Sequence, residues 1–489
     1  MTESREHDLA NLDLSPTEMR AMGEAVLARV VAHLAGLPDA PSCGDFRGIE
    51  ALCRSMRESV PEQGTALDAL LAPLFDEWIP RSFTAPGPGY LAYIPGGGIY
   101  PAALADFIAD TTNRYTGIWQ AAPALVQLEA NALDWLRDWM QFPAETRGLF
   151  TTGGSMAMFN AIACAREKLL GDDIRAGTLY VSSQSHHCLA KAARLAGIAH
   201  DRVRIIDVDH QFRLRVDELE GFVAADRAAG LEPFMVFSTA GTTNTGAVDP
   251  IGAVADLAAR ERLWHHVDGA YGGFFHMLPE LRPSLAGLPR ADSITLDPHK
   301  GLFLPYGTGA LLVRDGEALR ALHSSTAGYL PDNQSEFYDP AQYGPDLSRG
   351  FPGLRVWLTL KFFGAERYRA ALAEKRALAV WAAERVAQIP GIVMDAAPQL
   401  SLFAFHLADP ALSTREAEDV ATRALMERVT RRGQLMLTGA TVGERVLGRI
   451  CVLSFRTRRA EMELCVRQVA EEAALLLAEA RRTGGPLTA

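Results

Sequence analysis

Lys300 and Asp268 are the residues of this chain best suited to covalent chemistry. Lys300 lies in Ser293-Ile-Thr-Leu-Asp-Pro-His-Lys-Gly-Leu-Phe-Leu-Pro-Tyr-Gly-Thr-Gly-Ala-Leu-Leu-Val313, between two short apolar runs of β type. Long charged side chains are rarely buried without a partner, and a desolvated lysine loses its proton more easily and becomes an amine nucleophile. Taken alone, such a lysine more often snorkels from a strand end to solvent. Asp268 stands upstream, at the end of an apolar run in Leu263-Trp-His-His-Val-Asp-Gly-Ala-Tyr-Gly-Gly273. Gly269 and Ala270 after it are small enough to let a flat group approach the backbone. In open α/β sheets, ligands bind beyond the carboxyl ends of the strands. A single aspartate there is usually a turn former or a cap. An aspartate and a lysine on successive strands suit pyridoxal phosphate, which requires a lysine to form a Schiff base and a carboxylate on its pyridinium nitrogen.

The elements that must hold these groups follow from the pattern around them. Strand-like runs at Thr178–Ser182 and Phe234–Ser238 alternate with helical stretches opening near Gly154, Leu189 and Asp249, which predicts a parallel α/β sheet. A Gly-Gly-Ser turn before a helix, at Gly153-Gly-Ser155, exposes backbone N–H groups at the positive end of the helix dipole and suits a phosphate, although such turns cap many helices. Ser15 and Pro16 mark a helix start, with Met19, Met22, Val26, Val30 and Leu34 at helical spacing after it. Ala124–Met140 is expected to be an amphipathic helix. A long helix is expected over 354–389, strands over 400–407 and 449–456, and a closing helix over 461–482. The expected division is a helical segment at 1–85, a large α/β domain at 86–385 and a small α+β domain at 386–489.

Composition narrows the function. The chain has 489 residues, 48% hydrophobic and 22% charged, with a net charge of −11 and no basic run, which disfavours nucleic-acid binding. Its six cysteines form no CxxC pair and no zinc spacing, so they are expected to be reduced thiols in a cytoplasmic protein, and no metal site is expected. The polar N-terminus lacks a signal-peptide core, and no apolar run is long enough to span a bilayer.

His266-Val-Asp-Gly-Ala-Tyr271 and Asp297-Pro-His-Lys300, in this order, resemble the motifs of the fold-type-I, group II pyridoxal-phosphate decarboxylases, of which aromatic-L-amino-acid decarboxylase is the best-known kind. The resemblance extends from about Pro88 to the C-terminal region. It implies a fold-type-I architecture, a pyridoxal 5'-phosphate cofactor, and a homodimer with its sites at the subunit boundary and the N-terminal arm packed across the partner. Residue by residue it implies Lys300 as the cofactor lysine and Asp268 on the ring nitrogen, with Ala270 among the cofactor-binding residues. It implies Gly154, Ser155 and His299 at the phosphate, and Thr243, upstream of Asp268 at the family's spacing, near the cofactor. His186 matches the histidine that stacks on the ring, with His187 as the rival one residue on. Tyr329, downstream of Lys300 at the family's spacing, matches the tyrosine of a catalytic loop that returns a proton to the substrate, with Tyr338 and Tyr343 nearby as alternatives. Tyr90, Tyr93 and Trp119 resemble a substrate side wall, while the tyrosines read equally well as anchors of a glycine-rich loop.

Three features depart from the family pattern. Met156 stands where a smaller or acidic residue is expected, and Gly350 stands where the family has a second arginine, which puts anchoring of the catalytic loop in question. Asp297 stands where some relatives have asparagine; an anion beside a phosphate is repulsive, so Asp297 is expected to bond backbone N–H groups instead. The reading is decarboxylation of an L-amino acid, aromatic by Tyr90, Tyr93 and Trp119, to an amine and CO2; a glycine-rich lining at Gly87, Gly89 and Gly96–Gly98 leaves an acidic or aliphatic substrate open. The alternatives are decarboxylation with oxidative deamination to an aldehyde, a transaminase or other lyase on the same fold, and, furthest from the motifs, a non-catalytic interaction protein.

Overall fold

The computed structural model describes residues 11–324 and 336–483. Tyr329 lies outside them. Seven strands form the central sheet: β1 (Arg147–Thr151), β2 (Gly177–Ser182), β3 (Val203–Ile206), β4 (Glu232–Thr239), β5 (Trp264–Gly269), β6 (Ser293–Leu296) and β7 (Gly309–Val313). Their order is β1-β7-β6-β5-β4-β2-β3. β7 runs antiparallel to its neighbours β1 and β6, and all other neighbours are parallel. The carboxyl ends of β1, β2, β4, β5 and β6 therefore share one edge with the amino end of β7.

The inner strands read as continuous apolar runs because helices cover both faces. Leu179, Val181, Met235 and Phe237 pack with Ala157, Ala161 and Cys164 of the helix Gly154–Leu170. Tyr180 and Val236 point the other way, onto Leu219, Val223, Val254 and Leu257. All six residues of β5 are buried, including His265 and His266. A buried imidazole needs partners. Ser238 Oγ meets His265 Nε2 at 2.7 Å, Ser293 Oγ meets His266 Nδ1 at 2.7 Å, and Thr295 Oγ1 meets His266 Nε2 at 3.1 Å. These bonds tie β4, β5 and β6 side by side beneath Asp268.

A second, antiparallel sheet has the order β10-β11-β9-β8, from β8 (Ile392–Ala396), β9 (Leu402–Leu407), β10 (Thr438–Val442) and β11 (Arg445–Cys451). The helices Arg415–Arg431 and Arg459–Thr483 cover it. The β10–β11 hairpin was not evident in the sequence; its turn uses Gly443 at φ 59°. The strand expected over 449–456 stops at Cys451. Beyond it Ser454 folds the chain into a turn, its Oγ accepting from Arg456 N at 3.3 Å and its carbonyl from Thr457 N at 3.1 Å. The long helix runs Pro352–Val386 and is interrupted at Gly364, where φ 74° and ψ 152° leave the helical region.

The first helix, Pro16–Gly36, starts as expected: Ser15 and Glu18 form a reciprocal capping box. None of its residues is buried, and Met19, Met22, Leu27 and Val31 are exposed. No described helix is long and apolar enough to cross a membrane.

A strap over residues 86–98 joins the second sheet to the Lys300 turn. Leu91 N donates to Met436 O at 3.1 Å, Met436 N to Gly89 O at 3.0 Å and Cys451 N to Leu91 O at 3.0 Å. Its glycines serve close approach rather than a cavity lining: a β-carbon on Gly89 would lie 2.0 Å from Gln434 O, and one on Gly96 would lie 1.9 Å from His299 O.

Candidate active site

A cavity of about 350 Å³ opens at the shared strand edge. Each strand end delivers its own group. Gly154 and Ser155 follow β1, His186 and Cys188 follow β2, Thr243 follows β4, Asp268 and Ala270 close β5, and Asp297, His299 and Lys300 follow β6. All of these line the cavity. The sequence thus yields eight cofactor-binding candidates, Gly154, Ser155, His186, Thr243, Asp268, Ala270, His299 and Lys300, that the fold brings together from five separate connections.

Lys300 sits in the short helix Pro298–Gly301. Its Nζ is 2.9 Å from Asp297 Oδ2. Burial opposes the ammonium charge, but Asp297 outweighs it and Lys300 is held above its ordinary value. This reverses the expectation that desolvation alone would free the amine. The expectation for Asp297 is also corrected: its side chain caps no backbone N–H of the helix it precedes. Its Oδ2 faces Lys300 and, at 3.7 Å, His299 Nε2, while the buried Oδ1 has no hydrogen-bond partner among the described residues. His299 donates from Nδ1 to Thr308 O at 2.8 Å, which fixes the ring; burial holds it below the usual histidine range.

Asp268 is buried, and its Oδ1 accepts from Ala270 N at 3.1 Å. Burial pushes its carboxyl up to about 6, against the pull of Lys300. Of the two histidines, His186 lines the cavity and His187 is exposed, with ring centroids 4.3 Å apart. Cys188 N donates to His186 Nδ1 at 3.3 Å, so the neutral ring carries its proton on Nε2. Burial, then His187 and Lys300, holds His186 down at about 4, so it is neutral near pH 7. Cys188 was missed in the sequence; it lines the same cavity, and burial pushes its thiol up to about 12, so it is a thiol rather than a thiolate there. Its only signal was its place, just after His186, at the start of a helix.

The aromatic candidates lie outside this lining. Tyr90 is 3% exposed and stacks on Tyr93, which is 51% exposed. Tyr93 has φ 50°, and its carbonyl accepts from Arg449 Nη2 at 2.8 Å. Trp119 stacks on Phe337 at 4.9 Å, and its backbone N–H donates to Asp339 Oδ1 at 3.1 Å. Tyr338 stacks on Tyr343 and donates its hydroxyl to Gly148 O at 3.1 Å, which commits it elsewhere. Beyond the loop, Glu129 pairs with Arg349 and also accepts from Gly353 N at 3.2 Å.

The residues fit pyridoxal phosphate. A buried carboxylate, an amine on the next strand connection, an imidazole lining the same cavity, and the amino end of a 17-residue helix are the four groups that the cofactor's ring nitrogen, aldehyde, ring face and phosphate require. A mostly parallel sheet with these groups along one edge defines a fold-type-I pyridoxal-phosphate enzyme. The chain belongs to the pyridoxal-dependent decarboxylases: the sequence model of the pyridoxal-dependent decarboxylase conserved domain matches residues 50–408. It is a pyridoxal-phosphate carboxy-lyase. An aromatic-L-amino-acid decarboxylase of Bacillus atrophaeus is 32% identical over 475 residues, 95% of this chain and 98% of that one. A crystal structure of Oryza sativa TDC with PLP and tryptamine superposes with TM-score 0.91 at 27% identity, covering 96% of this chain and 100% of that one. A crystal structure of Rhodiola rosea 4-hydroxyphenylacetaldehyde synthase gives TM-score 0.88 at 25% identity, covering 95% and 99%.

Proposed function

We propose that this enzyme removes the carboxylate of an aromatic L-amino acid and releases the amine and CO2. The observation that carries the reading is the convergence of Lys300, Asp268 and His186 on one cavity at the carboxyl edge of the sheet. Bound pyridoxal phosphate supplies a sink for the electrons of the Cα–carboxylate bond. The chain supplies position and protons. Lys300 holds the cofactor covalently and yields its place to the substrate amine. Asp268 keeps a proton on the ring nitrogen. Ala270 leaves room for the ring, and His186 covers its face as a neutral imidazole. Gly154, Ser155 and His299 hold the phosphate, with Thr243 beside the cofactor. Tyr329 returns a proton to the substrate Cα, and the closed site keeps out water and oxygen.

The aromatic substrate rests on Tyr90, Tyr93 and Trp119 and on the names of the relatives. In this reading these side chains, outside the cavity lining of a single chain, belong to an outer approach that a second copy of the chain completes. The exposed apolar residues of Pro16–Gly36 are the face that packs across that copy in a cytoplasmic homodimer. Residues 1–85, 86–385 and 386–489 act as arm, cofactor domain and small domain.

A second reading is aldehyde formation, favoured by the likeness to 4-hydroxyphenylacetaldehyde synthase. The retained His186 and Tyr329 favour the amine. Incubating the cofactor-loaded protein with each amino acid, while measuring CO2, amine, aldehyde and peroxide together, separates the readings. Amine equal to CO2 without peroxide is expected. Aldehyde with stoichiometric peroxide would replace this reading with the second, and no CO2 from any amino acid would end both.

A further inference from the structure

Asp297 has no part in the chemistry assigned above, yet its carboxylate touches the reacting atom of the site. Oδ2 lies 2.9 Å from Lys300 Nζ, and the Asp297 side chain is 2% exposed. Its Oδ1 is buried with no hydrogen-bond partner among the described residues, and the side chain caps no N–H of the helix it precedes. His299 Nε2 stands 3.7 Å from Oδ2, and because Nδ1 donates to Thr308 O the neutral ring turns a lone pair, not a proton, toward it. Lys300 is thus the proton donor that this carboxylate faces. The other acids that act on Lys300 are otherwise committed: Asp268 Oδ1 accepts from Ala270 N, and burial keeps Cys188 a thiol. Passing a proton from Nζ to Oδ2 turns two buried charges into two neutral groups, which burial favours. Asp297 gives up no helix-capping bond in doing so.

We propose that Asp297 is a further catalytic residue: it takes the proton that the Lys300 ammonium must shed to become a nucleophile, and gives it to the oxygen that leaves. The proposal rests on the reading that Lys300 bonds covalently to an aldehyde. Nζ passes one proton to Oδ2, and its lone pair forms a bond to the aldehyde carbon. A second Nζ proton moves to the former carbonyl oxygen. The proton on Asp297 then joins that hydroxyl, the C–O bond breaks, and water leaves as the C=N bond forms. Asp297 ends as it began, a carboxylate beside a positively charged nitrogen, so the step draws on no other acid or base.

The test uses the cofactor-free full chain and follows two reactions at Lys300 by peptide mass spectrometry. Acetic anhydride acylates the free amine and expels acetate, which needs no added proton. Pyridoxal, trapped with borohydride, must expel water, which does; it also lacks the phosphate, whose charge would respond to Asp297 on its own account. The pyridoxal rate divided by the acetylation rate cancels the fraction of Lys300 present as free amine. Asp297→Asn is expected to raise acetylation at pH 7, because burial then acts on Lys300 without its nearest anion, and to lower the ratio about 10²-fold, the scale of a lost acid–base group. Asp297→Ser, which also carries no transferable proton of that kind, is expected to lower the ratio likewise and serves if the first variant does not fold. A ratio within about tenfold of wild type, whether both reactions speed up, slow down or stay the same, would overturn the proposal and leave Asp297 only setting the charge or place of Lys300. Failure of pyridoxal to label Lys300 in the wild type would instead strike the assignment of that lysine.

Discussion

Gly96→Ala tests whether the strap holds the reactive lysine. A β-carbon on Gly96 would sit 1.9 Å from His299 O and 2.9 Å from His299 C, where ordinary contact begins at 3.4 Å. The overlap with His299 O is too deep for small adjustments to relieve, and neither neighbour is the flexible end of a side chain. The strap is pinned on its other side by the bonds of Leu91 to Met436 and Cys451, so the Pro298–Gly301 turn must give way. That turn carries Lys300. Misplacing a reacting group by ~1 Å costs on the order of 10²-fold in rate, so kcat for CO2 release is expected to fall at least ~10²-fold with saturating cofactor. The assay is CO2 release beside the ~420 nm absorbance of the lysine-linked cofactor. Gly64→Ala is the control, because nothing lies within 4 Å of its β-carbon. A Gly96→Ala enzyme within about threefold of the wild-type rate would refute the reasoning, since the required shift would then not reach Lys300.

Asp268→Asn removes the charge that the proposed function assigns to the ring nitrogen. At ~4 Å and an effective dielectric of ~20 the pair is worth about 4 kcal/mol, so kcat is expected to fall about 10³-fold while absorbance shows that cofactor remains bound. His266 is neutral and buried, held by burial at about 3 against an ordinary 6.5. The unfolded chain therefore binds a proton that the folded chain refuses: this stability is full above pH 6.5 and is lost as pH falls toward 3. At pH 5 the loss is about 2 kcal/mol, and His266→Gln is expected to lose that much less than wild type between pH 7 and pH 5 in urea unfolding. Equal losses would show that His266 does not carry the acid sensitivity. Glu129→Ala leaves Arg349 without its buried partner and Gly353 N without an acceptor, and is expected to cost about 3–5 kcal/mol by thermal or urea unfolding.

Much of the site was legible in the sequence for a simple reason. In a parallel sheet every carboxyl strand end lies at the same edge, so polar residues that close apolar runs are gathered whatever the strand order. Asp268, Lys300, His186 and the Gly154 turn each follow such a run, and their types matched one cofactor. The apolar runs that built β2, β4 and β5 were equally local. The β10–β11 hairpin and the early end of β11 were not legible, because a turn at Ser454 competes with an apolar run that reads as strand to its end.

The sequence by itself determined which groups are available and which edge collects them, because residue type and strand periodicity are properties of short stretches. Tertiary structure alone decided their state and their neighbours. It set Asp297 against Lys300, holding the amine charged where burial alone would free it. It brought Gly96 against His299 and Gly89 against Gln434, approaches between segments far apart in the chain that no local pattern encodes. Tyr90 and Tyr93 show the same division: their aromatic type was plain from the chain, but burial of one and exposure of the other follow from a strap packed on a sheet that the far end of the chain supplies.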